Sequence, residues 1–335
     1  MLFYLDHNAT RDTVVRPVIL SADGMLPGIP ESGVLYLQQG KQNLLQFDVP
    51  GGQFLIMGDP VFRASENLMA AVVPEPGNIR LDVLFREIKG HYYWFYLGPK
   101  QCRFGSSFGA VFPVYYHSAG DRMVAGSSSF ALAEKIGADV QDKRNLLERL
   151  LFNYPFFNST WWADIKLLDT HRYLSTDGQR WVVDGAFEVS DYFGTPENTS
   201  RDGLHELAEL FQAETRLFFP DSPFGISLTG GFDGRTLVAA ARKEHRDFFT
   251  YSFGRPDSTD VTLPASQAAS LKVPYFPILL DEQYIGQHSY DSAQAFMRLT
   301  DYNGNFGRPH YHYAAEQLSA KTGHILTGNF GSELF

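Results

Sequence analysis

The spacing of apolar and polar positions changes once along the chain. Over residues 1–135, short apolar runs are separated by turn residues. "LLQFDVP" and "QFLIMGDPVF" flank Pro50, Gly51 and Gly52, which predicts a hairpin or tight connection. "HYYWFYLG" and "AVFPVYYHSAGDRMVAGSSS" continue the pattern, with Ala119, Gly120 and Asp121 as the next turn. Aromatic and β-branched residues dominate these runs, as strands prefer. Apolar residues at helical spacing predict helices around 63–72 and over 143–152 ("KRNLLERLLF"). "HRYLSTDGQRWVVDG" predicts a further hairpin that turns at Asp177-Gly178.

The polar segment "FGTPENTSRDG" marks a boundary near residue 198, so domains 1–197 and 198–335 are expected. The helix after it, "LHELAELFQAETRLFF", has Thr199, Ser200 or Asp202 as a candidate cap, and Glu206, Glu209 and Glu214 as a solvated face. From residue 225 strands and helices alternate. "GISLTGG" is followed by a helix from about 234, then by "FFTYSFG". A helix over 263–271, with Pro264 near its start, precedes "PYFPILL"; a helix near 309–321 precedes "HILTGN". This alternation predicts an α/β domain built on a parallel sheet with helices on both faces.

Composition narrows the function classes. A formal charge of −10 argues against a general nucleic-acid binder, which carries a basic stripe. Cys102 is the single cysteine, which excludes an intrachain disulfide or a cysteine-based zinc site. The start, "MLFYLDHNATRD", has no basic residue before a short apolar run, unlike a secretory signal. No run of about 18 apolar residues occurs, so no membrane span is expected and a cytoplasmic protein is the default reading.

The chemistry centres on "GISLTGGFDGRTLVAAA", residues 225–241. In an open parallel sheet, ligands sit beyond the carboxyl ends of strands. Thr229-Gly230-Gly231 would lie there, where glycines let backbone N–H groups approach a phosphate and the next helix presents its positive end. Asp233 repels phosphate directly but fits as a holder of Mg²⁺ bridging phosphate oxygens. The plain reading stands beside it: Gly-Gly makes a tight turn and Asp233 caps a helix. Neither G-x-x-x-x-G-K-[ST] nor G-x-G-x-x-G is present.

The loop resembles the "SGGxDS" PP-loop of ATP pyrophosphatases, specifically that of the asparagine synthetase family. Three other segments follow in the family's order. "TYSFG" (250–254) resembles the strand that closes over adenine, and "STDVTLPASQAASLKVPYFPILLD" (258–281) the Asp-led helix and strand. "ILTGNFGSELF" (325–335) resembles the second phosphate and metal loop, "LSGxGSDExF". The resemblance implies a Rossmann-like PP-loop domain that binds ATP and Mg²⁺ and adenylates a small-molecule carboxylate for attack by ammonia or an amine. It assigns ATP or pyrophosphate contacts to Leu228, Thr229, Gly230, Gly231, Gly234, Phe253, Gly254 and Gly328. Asp233, Arg235 and Glu333 become the catalytic candidates, with Asp233 and Glu333 as metal ligands. No nucleic-acid or membrane partner is implied, and a homodimer is allowed.

Departures from the family pattern set limits. Gly234 and Arg235 replace the usual Ser-Ser; Arg235 either grips phosphate oxygens or lies on the helix surface. Ser332 stands at the metal-binding Asp, so either Glu333 takes over or metal binding weakens. Asn329 replaces the Glu that handles the acyl substrate, which puts asparagine as the product in doubt. Family members continue beyond this motif into a helical segment with a catalytic lysine, so a longer protein is expected.

The first domain resembles the family's Ntn-type glutaminase, an α+β sandwich, through "SSFGAVFPVYYHSAGDRMVAGSSSFALAE" (106–134) and "FLIMGDPVF" (54–62). Its chemistry is missing. Leu2 replaces the nucleophilic cysteine, the oxyanion-hole Asn-Gly reads Gly58-Asp59, and the Arg-Asp pair reads as small residues near Gly105-Ser106. Cys102 is expected to be a buried apolar residue. His310 and His312 have poor helical spacing for a metal, and "STWWAD" (159–164) reads as domain-interface core. A non-catalytic nucleotide-binding scaffold is the main alternative. A sulfur-transfer enzyme acting on tRNA would need catalytic cysteines and a basic surface, and the chain offers neither.

Overall fold

The computed structural model describes residues 2–28, 30–40, 43–63, 67–109, 111–192 and 201–328. The chain divides into two compact units, Met1–Thr195 and Pro196–Phe335. The protein is mixed α/β, with three sheets among the described residues, one of them parallel.

The first unit opens with β1 (Phe3–Asn8), β2 (Arg16–Leu20), β3 (Val34–Gln38), β4 (Asn43–Val49) and β5 (Gly52–Phe62). Helices α1 (Leu68–Val72) and α2 (Leu81–Glu87) lead into β6 (Ile88–Gly98), β7 (Gln101–Ser106), β8 (Tyr115–Ala119) and β9 (Arg122–Gly126). Helices α3 (Ser129–Ile136) and α4 (Lys143–Phe152) precede β10 (Lys166–Leu167), β11 (Arg172–Thr176) and β12 (Trp181–Gly185). The strands form two six-stranded sheets, ordered β10-β8-β9-β1-β3-β2 and β12-β11-β7-β6-β5-β4.

Side-chain alternation stacks these sheets in layers. Leu55 and Met57 of β5, with Tyr93, Phe95 and Leu97 of β6, enter a core shared with Phe3, Leu5, Leu35 and Leu37 of the other sheet. The intervening Phe54, Ile56, Tyr92, Trp94 and Tyr96 face outward and are covered by α1 and α2. Tyr4, Val34 and Tyr36 face the opposite way, under Leu132 and Ala133 of α3. The order is therefore helix, sheet, sheet, helix. Strands buried on both faces read as continuous apolar runs, which is why "FLIM" and "YYWFYL" do not alternate.

The predicted turns form. Pro50-Gly51 joins β4 to β5 with Val49 opposite Gly52, and Gly51 takes φ +76°. Gly120-Asp121 joins β8 to β9, and Asp177 and Gly178 begin the β11–β12 turn. The helix expected around 63–72 is confined among described residues to Leu68–Val72, because β5 extends to Phe62. Two helices of this unit were not expected. Helix α3 is capped at Ser128, whose side chain accepts from the Ala131 N–H, and ends at Gly137 in the left-handed region. Helix α2 has no side-chain cap and is held by burial of Leu81, Val83, Leu84 and Phe85. Trp161 and Trp162 pack on Phe130 within this unit.

The second unit starts with α5 (Arg201–Leu217), so Asp202 lies inside the helix and not at its cap; Thr199 and Ser200 fall outside the described residues. There follow β13 (Phe224–Ser227), α6 (Phe232–Lys243), β14 (Phe248–Gly254), α7 (Thr259–Leu271) and β15 (Tyr275–Leu279). A π-helical turn, Tyr284–His288, then leads into α8 (Ser289–Leu299), α9 (His310–Ser319) and β16 (Ile325–Leu326). All four strands are parallel, in the order β15-β14-β13-β16. Helix α7 begins earlier than its proline suggested, with Pro264 in the interior. Helix α8 was not expected; it grows from a π turn at whose start the Asp281 carboxylate accepts the Tyr284 N–H at 3.0 Å. Among the described residues, no helix is long and apolar enough to cross a membrane.

His7 gives the first unit a pH dependence. It is buried on β1, its Nδ1 has no hydrogen-bond partner among the described residues, and its ring meets Trp181 edge-on at 5.3 Å. Burial lowers its pKa below 6.5, outweighing the opposing pull of Asp12 and Asp6. The folded state therefore disfavours protonation. His7's contribution is fully present above pH 6.5 and is lost as pH falls below that value toward the folded-state pKa. Thermal melts at pH 7.5 and 5.5 should show a smaller acid-induced drop in His7→Gln than in the parent, and equal drops would contradict this.

Candidate functional site

The connectivity of the second unit creates a crevice. From β13 the chain winds outward to β14 and β15, then returns to place β16 on the other side of β13. The carboxyl ends of β13 and β16 thus flank the point where strand order reverses, where open α/β sheets hold ligands. Leu228-Thr229-Gly230-Gly231 follows β13, and Thr327-Gly328 follows β16.

Leu228 is fully buried and bonds its N–H to the Tyr251 carbonyl at 2.8 Å, which anchors the loop's start. Thr229, Gly230 and Gly231 are exposed. The Thr229 hydroxyl accepts the Gly231 N–H at 3.2 Å, bracing the turn and keeping its own proton to donate. Gly231 caps α6 without any side-chain cap, so the plain reading of Asp233 as the cap is corrected: Asp233 sits in the first helical turn. The free N–H groups of that turn carry the positive end of a 12-residue helix.

Gly328 brings the second loop onto the first. A Cβ there would overlap the Cβ of Asp233 and lie 3.0 Å from its carbonyl carbon. Half-buried Asp233 therefore stands directly beside the end of β16. Gly234 has a packing role: a Cβ would run into the Ser227 carbonyl oxygen, so glycine lets α6 lie close on β13. Arg235 folds back over the helix start, donating from Nε to the Gly231 carbonyl at 3.0 Å, with its guanidinium 4.4 Å from the Phe232 ring. Of the two readings left open for it, the helix surface is where its side chain lies. Glu333, Asn329 and Ser332 fall outside the described residues.

At the end of β14, Phe253 packs against His310 at 5.3 Å and Tyr311 at 5.1 Å. Gly254 leaves room for the Ser258 hydroxyl, which would lie 2.8 Å from an added Cβ. The contact of Phe253 with His310 puts the amino end of α9, and Arg308 beside it, at the same edge. Burial, and secondarily Arg308, lowers the His310 pKa and keeps the ring neutral. Sequence reasoning missed Arg255 and Arg308 here, and weighed His310 only as a metal ligand. The signal was a repeated Gly-Arg-Pro at 254–256 and 307–309, once after β14 and once before α9. Arg255 is engaged by Asp257 at 3.2 Å.

Known proteins add little. No protein-family model matches the chain, and no curated protein matches it. Among solved structures, it is 12% identical to glutamine phosphoribosylpyrophosphate (PRPP) amidotransferase from B. subtilis complexed with ADP and GMP, at a TM-score of 0.26. That alignment covers 72% of this chain and 50% of the other. A structure titled the allosteric regulatory enzyme of purine biosynthesis gives 12% identity, 73% and 49% coverage and a TM-score of 0.27. The chain thus spans about half the length of either protein, and scores this low carry no weight for fold or activity.

The first unit offers little nucleophilic chemistry. Cys102 is buried, and burial pushes its thiol well above the ordinary range. The Leu2 N–H bonds to the Ser127 Oγ at 2.7 Å, and the Leu2 side chain packs on the inter-sheet core. A cleft of about 230 Å³ beside it is lined by Leu2, Phe3, Tyr4, Leu26, Tyr36 and Gln38 among others. Among the described residues no group of three His, Cys, Asp or Glu could hold a metal, His310 and His312 included.

The glycines of the loop should differ in tolerance. Gly234→Ala drives a methyl into backbone and should cost about 1–3 kcal/mol, as overpacking does. Gly231→Ala meets only the Thr229 Oγ1, at 3.4 Å, and should cost about 1 kcal/mol or less, the loss of a favoured cap. Urea unfolding followed by circular dichroism measures both, and an equal cost would contradict the packing role of Gly234.

Proposed function

We propose that the second unit binds ATP with its phosphates on residues 229–234, and that it belongs to the AMP-forming enzymes that activate a carboxylate for amide formation. The observation that carries this is the placement of Gly328 against Asp233 where the strand order reverses. It joins, at the edge of a parallel sheet, the two loops whose sequences resemble the phosphate loops of asparagine synthetases.

In this reading the N–H groups of Phe232, Asp233 and Gly234 bind the phosphates through hydrogen bonds and the helix dipole. The Thr229 hydroxyl donates to a phosphate oxygen while remaining the brace for Gly231. Phe253 and Gly254 border the base, and the aromatic group Phe253, His310 and Tyr311 shields that side from water. Asp233 fits a Mg²⁺ carried on the phosphates, since that ion binds through one or two carboxylates and keeps several waters. When bound, the ion would offset charge on the departing pyrophosphate. The acyl-adenylate so formed would be attacked by ammonia or an amine. Glu333 remains the second candidate ligand by resemblance only.

The first unit is proposed to be a glutaminase-like, Ntn-type frame without glutaminase activity. Its helix-sheet-sheet-helix layering supports the first half of that statement, and Leu2 packed on the core supports the second. A second reading, a nucleotide-binding scaffold without turnover, is favoured by one observation: Arg235 is turned onto Gly231 and Phe232 instead of toward the crevice.

Equilibrium binding of Mg–ATP and ATP–pyrophosphate exchange over a panel of carboxylates separate these readings. Binding with exchange supports the enzyme, and binding without exchange the scaffold; no binding rejects both. Asp233→Asn should weaken Mg–ATP at least about tenfold, or 1.4 kcal/mol, while leaving the melting temperature unchanged.

A further inference from the structure

Helix α4 is turned inside out. Its inner face is polar: Asn145 and Glu148 are its buried residues, while Leu146, Leu147, Leu150 and Leu151 are 41%, 56%, 75% and 64% exposed. The amphipathic rule places such leucines inward. A set of directional bonds fixes the opposite rotation. Asn145 donates from Nδ2 to the Ser159 Oγ at 3.0 Å and accepts from the Arg149 Nε at 2.7 Å. Glu148 accepts from the Phe156 N–H at 2.8 Å and the Arg144 Nε at 2.7 Å, contacts that hold its carboxyl below the usual range. The Arg149 guanidinium lies 4.3 Å over the Trp161 ring. The leucines cannot roll inward without breaking this network.

The apolar stripe continues past the helix. Tyr154 is 59% exposed and Phe157 85% exposed, and Phe157 holds φ +58°, a strained value for a bulky residue. These six side chains expose on the order of 700 Å² of mostly apolar surface, above the patch size ordinary on monomers.

We propose that this face is a self-association surface, on which α4 of a second copy of this chain lies antiparallel about a two-fold axis. Two observations select that occupant. First, the stripe is self-complementary: a two-fold axis between Glu148 and Arg149 sets Leu146 against the partner's Leu151 and Leu147 against the partner's Leu150, as an isologous interface requires. The same pairing brings Lys143 and Arg144, at the amino end, to the carboxyl end of the partner helix, where cations are favoured; a parallel pair would set like charges together. Second, two such patches cover roughly 1,400 Å² if fully apposed, within the range of specific interfaces.

Sedimentation velocity of the full chain at about 100 µM, above the weakest affinity expected for an interface of this area, tests the proposal. A dimer is expected. Leu150→Glu and Leu147→Glu should each weaken association at least tenfold without changing the circular dichroism melt, because both side chains face solvent in the single chain. Mixed Leu147→Cys and Leu150→Cys copies should cross-link on mild oxidation, with Cys102 too buried to compete. A monomer at that concentration, or a dimer that Leu150→Glu leaves intact, overturns the proposal. So does a monomer in which Leu150→Glu raises cleavage between the two units, since the face would then serve the chain's own second unit.

Discussion

Gly328 lacks a side chain in a place where Asp233 already fills the space one would need. Much of the second unit's arrangement converges on that contact. The sheet must reverse its strand order to put β16 beside β13, and the β13 loop must turn tightly enough for α6 to begin at Gly231. Helix α6 must then lie close on β13, which Gly234 permits. The result is a half-buried carboxylate, the open end of a helix and two backbone loops gathered at one crevice. That combination suits a polyphosphate carrying its own divalent cation, since N–H donors meet the anion and the carboxylate meets the cation.

The same economy of side chains explains where the two units differ. In the first, chemistry-bearing residues are spent on structure: Cys102 is enclosed, Tyr4 and Tyr93 are buried with ionisation suppressed, and Leu2 packs on the core. Its exceptional feature lies on its surface, where a polar network in the interior forces leucines outward on α4. Burial of a satisfied polar network fixes orientation more strictly than apolar packing does, because hydrogen bonds are directional.

How much was legible in the sequence depended on whether the signal was local. The turns at Gly51, Gly120 and Gly178 were readable because each needs a residue free to take positive φ. Helix α2 was not readable, since seven residues without a capping side chain carry too short a period, and packing on β6 makes it. Helix α8 escaped for another reason: it grows from a π turn, whose wider spacing breaks the 3.6-residue period although Asp281 caps its start. At the site, the glycines of "TGGFDG" were legible as a loop, but their division of labour was not. Gly234 serves the sheet, and Arg235 covers the helix start, because of contacts with Ser227, Gly231 and Phe232 that spacing alone does not reveal. The apposition of Gly328 and Asp233 joins residues far apart in the chain, so only the fold displays it.

Hydrogen–deuterium exchange with and without Mg–ATP tests the central claim most directly, because it reports where a nucleotide settles whether or not turnover follows. The account predicts protection over residues 228–235 and 326–328 together, abolished by Asp233→Asn. Protection confined to the first unit, or of one loop without the other, would contradict a site built at the junction of β13 and β16.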